Sequence, residues 1–304
     1  MKKVVFVYNP DSGKAKRENI LGELTNEAGS RSFEVVLIPF FDFLKKDYAN
    51  TLKESKAVFI IGGDGTANGV INQLANSGID FPPLVVYPGG TSNDFATLWW
   101  SGGFCSPKKA FDAVMEDNVY KVDLGKVNDR YFINVAGAGM FVDVASETSS
   151  RKKQKWGVLA YLGEGLMKFS EYRPFTIELI HNGKKEKINC YLILVLNSKG
   201  AGGLRNLVPG ASMDDGLLDV LIVKELDNTN NNKIIENIDY SVFTLYPKIL
   251  LGSHMQDNRV LHYQLSNFSV ECVQELKLTV DGESGPDIPF NFSLKKQCVP
   301  LFYK

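Results

Sequence analysis

An aspartate set among glycines, where an apolar run gives way to an amphipathic pattern, suits phosphate chemistry. The stretch is Ile60-Ile61-Gly62-Gly63-Asp64-Gly65-Thr66-Ala67-Asn68. Glycines let backbone N–H groups approach an anion, and a helix N-terminus adds positive partial charge. Asp64 would repel bare phosphate, so it points to magnesium, held directly or through water, or to a positioned hydroxyl. Two more small-residue turns accompany it. One is Tyr8-Asn9-Pro10-Asp11-Ser12-Gly13-Lys14, which is not a P-loop because Tyr8 and Ala15 stand where that motif needs Gly and Ser or Thr. The other is Pro88-Gly89-Gly90-Thr91-Ser92-Asn93-Asp94-Phe95-Ala96, which also reads as a plain helix cap. Together the three turns suggest a nucleotide-dependent kinase.

Phosphoryl transfer to an alcohol also needs a group to accept the hydroxyl proton. The three histidines, His181, His254 and His262, lie far in sequence from the phosphate-type turns. Val280-Asp281-Gly282-Glu283 offers two carboxylates around a glycine and is the better source of a base, although Asp-Gly is also an ordinary turn. Ala211-Ser212-Met213-Asp214-Asp215-Gly216-Leu217-Leu218-Asp219 clusters aspartates before a strand; a hard cation or a solvated turn fits equally. Gly137-Ala138-Gly139 fails as a dinucleotide fingerprint, since Val142 occupies its third glycine position.

The elements that must hold these residues fall into two sets. Up to Tyr120 strands and helices alternate. Strands are expected at Val4–Tyr8, Phe33–Ile38, Ala57–Ile61 and Leu84–Tyr87, with helices at Lys16–Ala28, after Asp64 and from Ser106-Pro107. That alternation implies a parallel sheet covered on both faces, with the three turns at strand carboxyl ends, where ligands bind. Beyond Tyr120 strands dominate: 120–127, 130–135, 175–181 and 187–196 around an Asn182-Gly183 hairpin turn, 217–223 and 275–281. Helices are expected near 156–169 and 232–250. This second part reads as an antiparallel sandwich. The expected domains are 1–122 and 123–294, with the last strands, 290–294 and 299–303, assignable to either and 295–304 able to join the first.

The chain has 304 residues, 44% hydrophobic and 23% charged, with net charge −1. These values are ordinary for a globular protein and give no reason to expect nucleic acid. Four scattered cysteines without a C-x-x-C pair favour a reduced, cytoplasmic setting. No apolar run is long enough to span a bilayer, so an enzyme acting on lipid would visit the membrane surface.

The motifs resemble, in order, those of the diacylglycerol kinase catalytic family, in its soluble bacterial lipid-kinase branch. The residues that carry the likeness are Asn9-Pro10-x-Ser12-Gly13, Gly62-Gly63-Asp64-Gly65-Thr66-x-Asn68 and Gly90-Thr91-x-Asn93-Asp94-Phe95-Ala96. Further on come Trp156-Gly157-x-Leu159-Ala160-Tyr161-Leu162, Asp214-Asp215-Gly216-Leu217-Leu218-Asp219 and Asp281-Gly282-Glu283. The glycine-aspartate turn alone is shared with NAD kinases and phosphofructokinases. The resemblance implies an NAD-kinase-like α/β domain that binds ATP, a β-sandwich domain, and transfer of the γ-phosphate to a lipid hydroxyl, with diacylglycerol as the expected acceptor. It implies a nucleotide site at Asn9, Ser12, Gly13, Gly63, Asp64, Gly65, Thr66, Asn68, Thr91 and Asn93. It implies Asp64 and Asp94 as organisers of catalytic Mg²⁺, Glu283 as proton acceptor with Asp281 beside it, and a structural Mg²⁺ at Asp215 with the backbone oxygens of Ser212 and Leu217. A homodimer is a further expectation.

Three departures stand out. Family members usually carry Glu after Asn68, where this chain has Gly69, and often Arg where it has Thr97. The segment 39–48 lacks the threonine-containing nucleotide stretch expected there. An NAD kinase, or a non-catalytic nucleotide or lipid sensor, remains as an alternative. Arg151-Lys152-Lys153-Gln154-Lys155, Trp99-Trp100 and Phe104 are candidates for membrane contact, with a solvated loop and domain packing as their plain readings.

Overall fold

Val4–Val7 and Ala57–Ile61 are almost completely buried runs, as strands covered on both faces must be. The structure, a computed structural model, describes residues 2–11, 14–90, 93–140, 173–225 and 245–304. The chain divides into two compact units, Met1–Leu124 with Lys295–Lys304, and Gly125–Leu294.

In the first unit β2 (Phe33–Pro39), β1 (Lys2–Tyr8), β3 (Ser55–Gly62) and β4 (Leu84–Pro88) pair in parallel in that order. The end of β15 (Phe290–Phe302) extends the sheet, with Leu301 beside Leu84. Asn9, Phe40, Gly63 and Gly89 are therefore the first residues beyond the carboxyl ends of four neighbouring strands. The crossover helices are α1 (Lys14–Ser30), the short α2 (Phe40–Phe43) and α3 (Ala49–Lys53), and α4 (Asp64–Asn76). After β4 come α5 (Asp94–Trp99), α6 (Pro107–Met115) and β5 (Val119–Val127), whose last residues pair with β6 (Arg130–Phe132). α6 starts where its sequence says: the Ser106 hydroxyl accepts the Lys109 N–H at 3.1 Å, and proline fills the first helical position. Phe59 joins the core rings of Phe6 and Phe111, with centroids 5.0 and 4.8 Å away.

Trp99 and Trp100 pack this unit. Trp100 is buried and its Nε1–H donates to the Val86 carbonyl at 2.8 Å, while Trp99 Nε1–H donates to the Phe302 carbonyl at 2.8 Å. Phe104 is 68% exposed. Both indole N–H groups are spent on strand carbonyls, and Trp100 is a core residue while Trp99 is half-buried.

Arg31 ties the end of α1 to α6 through Asp112, at 2.7 Å. Hydrogen bonds from Arg31 and then Lys108 hold the Asp112 carboxyl down to about 2. A carboxylate depressed by folding adds stability above its unfolded value and loses it as pH falls towards the folded one. Asp112→Asn should cost about 0.5–1 kcal/mol at neutral pH and almost nothing near the folded pKa. Urea denaturation at the two pH values checks this; an equal loss at both would refute it.

The second unit is antiparallel and closes around a core that includes Phe132, Ile177, Val195, Val220, Val270 and Phe290. The 13-residue β9 (Lys184–Leu196) joins its parts. Its first half pairs with β8 (Phe175–His181), and its second half pairs with β7 (Val135–Gly139) and β10 (Leu218–Lys224). β10 continues to β11 (Val260–Leu265), and β8 to β12 (Phe268–Cys272). β7 continues to β13 (Leu278–Val280) and β14 (Glu283–Ser284). Asn182 and Gly183 make the β8–β9 turn with φ of 48° and 74°, the left-handed pair such a turn requires. Gly139, at φ 97°, leaves no room for a Cβ, which would stand 2.4 Å from the Tyr191 carbonyl oxygen, so Gly139 serves packing.

β15 is one strand where two were expected. At its centre Gln297 adopts φ 45°, and its N–H donates to the buried Asp123 carboxylate at 2.6 Å. The helix expected over 156–169 lies outside the described residues, and of 232–250 the described part holds α7 (Leu245–Leu250). Among the described residues no helix is long and apolar enough to cross a membrane. The four cysteines are free thiols.

Candidate active site

The turns after β3 and β4 lie backbone against backbone. Gly89 N–H donates to the Gly62 carbonyl at 2.9 Å. A Cβ on Gly90 would stand 2.4 Å from Gly63 Cα, and one on Gly62 2.5 Å from Thr66 Oγ1. Gly90 therefore lets the two turns touch and Gly62 leaves room for the Thr66 side chain, where the sequence reading had assigned glycines only to anion approach. Gly90→Ala is expected to cost about 1–3 kcal/mol in urea denaturation, the usual penalty for overpacking. Gly22→Ala, in the exposed face of α1 with nothing near, should be neutral or stabilising. Equal effects at both positions would contradict the turn-on-turn explanation.

Asp64 is the first residue of α4, and its carboxylate bridges to the next turn. Oδ2 accepts Asp94 N–H at 3.0 Å and Oδ1 accepts Phe95 N–H at 3.2 Å. Burial pushes the Asp64 carboxyl up, opposed by these backbone N–H groups. Both oxygens being engaged, a cation here would be held best through water. Asp94 opens α5. Asn93 precedes it at φ 52°, and its side-chain amide closes on Gly90 from both sides: Gly90 N–H donates to Oδ1 at 2.7 Å, and Nδ2 donates to Gly90 O at 2.8 Å. Asn9, at the end of β1, donates from Nδ2 to Thr66 Oγ1 at 3.1 Å. Thr66 and Asn68 are buried on α4, and Asn72 donates to Asn68 O at 3.0 Å. The structure thus gathers Asn9, Gly63, Asp64, Gly65, Thr66, Asn68, Asn93 and Asp94 at one sheet edge, beside the N-terminus of a 13-residue helix. Ser12, Gly13 and Thr91 lie outside the described residues, as do the basic run at 151–155 and the Trp156 motif.

The carboxylate pair belongs to the second unit, where its two members have different surroundings. Asp281 and Gly282 form a two-residue hairpin loop with φ of 49° and 85°, and Val280 pairs with Glu283 across it. Asp281 is buried. Its Oδ2 accepts Ile133 N–H at 2.9 Å, and its Oδ1 accepts Asn134 N–H at 3.0 Å and Val135 N–H at 2.9 Å. It clamps the chain entering β7 and fixes the turn that presents Glu283. The Glu283 side chain is exposed and makes no hydrogen bond or ion pair among the described residues. A polar cluster packs behind the clamp: Asn197 Nδ2 donates to Ile133 O at 3.0 Å, and the Ser198 hydroxyl bonds Asn134 Oδ1. The sequence reading passed over this cluster, although Asn134, Asn197 and Ser198 are polar residues at the ends of apolar strands.

Asp215 Oδ1 accepts the Leu217 N–H at 2.9 Å, the Ser212 hydroxyl bonds Asp214, and Gly216 has φ 75°. The exposed Asp215 carboxylate is a hard oxygen donor, of the kind that suits a hard cation. Among the described residues no three His, Cys, Asp or Glu side chains group as metal ligands, so such a cation would depend on carbonyls and water.

Residues 3–127 match the family described as "Diacylglycerol kinase catalytic domain", and 134–303 match "YegS C-terminal NAD kinase beta sandwich-like domain". The chain is 29% identical over 299 residues to a diacylglycerol kinase of Bacillus subtilis, covering 96% of this chain and 93% of that protein. It is 30% identical over 306 residues to one of Staphylococcus saprophyticus, covering 99% and 95%. A diacylglycerol kinase crystal structure from Bacillus anthracis superposes with TM-score 0.72 at 23% identity, over 100% of this chain and 97% of that one. An NAD kinase from Archaeoglobus fulgidus in complex with ATP gives 0.52 at 13% identity, over 99% and 93%. These two likenesses concern the fold.

Proposed function

We propose, from the premise that this chain belongs to the diacylglycerol kinase family and is a lipid kinase, that it transfers the γ-phosphate of ATP to the hydroxyl of diacylglycerol with the help of magnesium. The observation that carries the donor side is the meeting of the turns after β3 and β4 at the N-terminus of α4, with Asn9 at the end of β1 bonded into them.

On this reading the first-turn N–H groups of α4 and the Gly63–Thr66 backbone take the donor phosphates. Asp64 and Asp94 would hold magnesium through water; the ion supplies neutralisation of charge on the transferring phosphoryl group. Glu283 takes the proton of the acceptor hydroxyl as its oxygen bonds to the γ-phosphorus and the bond to ADP breaks. Asp281 holds the Glu283 turn in place. A separate magnesium at Asp215, with the Ser212 and Leu217 carbonyls, would stiffen the loop before β10. The working place is the cytoplasmic face of a membrane, where the lipid partner resides, and a homodimer is compatible with this.

The test is transfer of labelled phosphate from ATP to a whole-lipid extract, with the product identified by mass and NAD as a control acceptor. Phosphatidic acid as product, abolished by EDTA and restored by Mg²⁺, is the expected result. Another phosphorylated lipid would replace diacylglycerol as acceptor; phosphorylation of NAD alone would overturn the reading.

A further inference from the structure

The departures at Gly69 and in the segment after β2 meet in space. A Cβ built on Gly69 would stand 2.6 Å from Phe40 Cζ and 2.8 Å from Cε2, so the ring of Phe40 lies where a side chain at 69 would begin. Gly69 is interior to α4, where glycine is a poor helix former, and this contact explains its presence. Phe40 itself is the first residue past the carboxyl end of β2. Its neighbour β1 is followed by Asn9, which is bonded to Thr66 in the first turn of α4. The ring therefore flanks the phosphate-type turns on the β2 side, one helical turn beyond Thr66.

The two flanks of those turns differ. Beyond β4 the indoles of Trp100 and Trp99 are locked onto the Val86 and Phe302 carbonyls. Beyond β1 the Phe40 ring is half-buried and stands 5.4 Å from that of Phe41, which is 44% exposed. This flank offers an accessible aromatic surface beside the phosphate turns, and an aromatic face suits a planar, polarisable base.

We infer that Phe40, seated on Gly69, is a specificity-determining residue for the phosphate donor: its ring is the wall against which the nucleoside end of the donor packs. This rests on the reading that a nucleoside triphosphate is the donor. The wall recognises an aromatic base by stacking, and Gly69 is the space that lets the ring take its place.

Calorimetric titration with Mg-ATP and with Mg-tripolyphosphate separates a nucleoside contact from a general distortion of the phosphate turns. Phe40→Ala should weaken Mg-ATP binding by about 5- to 150-fold, the worth of one base–aromatic stack, and leave tripolyphosphate binding unchanged. Gly69→Ala, which pushes the ring aside, should act in the same direction, and the double variant should be no weaker than Phe40→Ala alone. The melting temperature of each variant verifies that it is folded. Equal loss for both ligands, or loss for neither, overturns the inference. Failure of the unaltered protein to bind Mg-ATP would instead overturn the donor assignment on which it rests.

Discussion

Glu283→Gln should lower turnover by roughly 10²–10⁴-fold, the range of a general base, and leave Mg-ATP binding and melting temperature unchanged. The exchange is nearly isosteric. The Glu283 side chain is exposed and has no partner among the described residues, so no structural bond is lost with its charge. Steady-state kinetics on dispersed diacylglycerol, with titration calorimetry for nucleotide, tests this. Turnover like that of the unaltered protein would remove Glu283 from the chemistry.

Asp281→Ala should behave in the opposite way, with a loss of stability on the order of 3–5 kcal/mol accompanying any loss of rate. Three backbone N–H groups, from Ile133, Asn134 and Val135, would lose their acceptor together. They are packed against Asn197 and Ser198, themselves buried. A buried donor without a partner costs its desolvation, and here three share one carboxylate. Chemical denaturation measures the stability term. Reduced turnover with unchanged stability would mean that Asp281 serves the reaction directly and that the clamp is incidental.

Much of the frame was legible, for reasons that particular residues illustrate. Val4–Val7 and Ala57–Ile61 could only be strands buried on both faces, and Asn182-Gly183 supplies the left-handed residues that a two-residue turn demands. Local chemistry sufficed in both cases. Partnerships across long sequence separations were not legible. Asp64 was read as a cation organiser, and the sequence carries no sign that its carboxylate also bridges to the N–H groups of Asp94 and Phe95. Asp281 finds its amides nearly half the chain away, and peptide N–H groups leave no mark in a sequence. Strands β11 and β12 were missed because residues such as His262, Gln264 and Glu271 dilute their apolar alternation. In β11 the interruption has a structural counterpart, since His262 and Gln264 both bond Asp219 of β10.

The sheet of the first unit contains Leu301, which is built only after every residue of the second unit has been made. While the chain is still emerging from the ribosome, the side of β4 that later receives Leu301 has no neighbouring strand, and the apolar surface that Val299, Leu301 and Phe302 cover faces solvent. The nucleotide-type unit thus reaches its final form last, although its own strands are translated first. The nascent protein carries an open sheet edge through most of its translation, a state in which chaperones have a surface to hold.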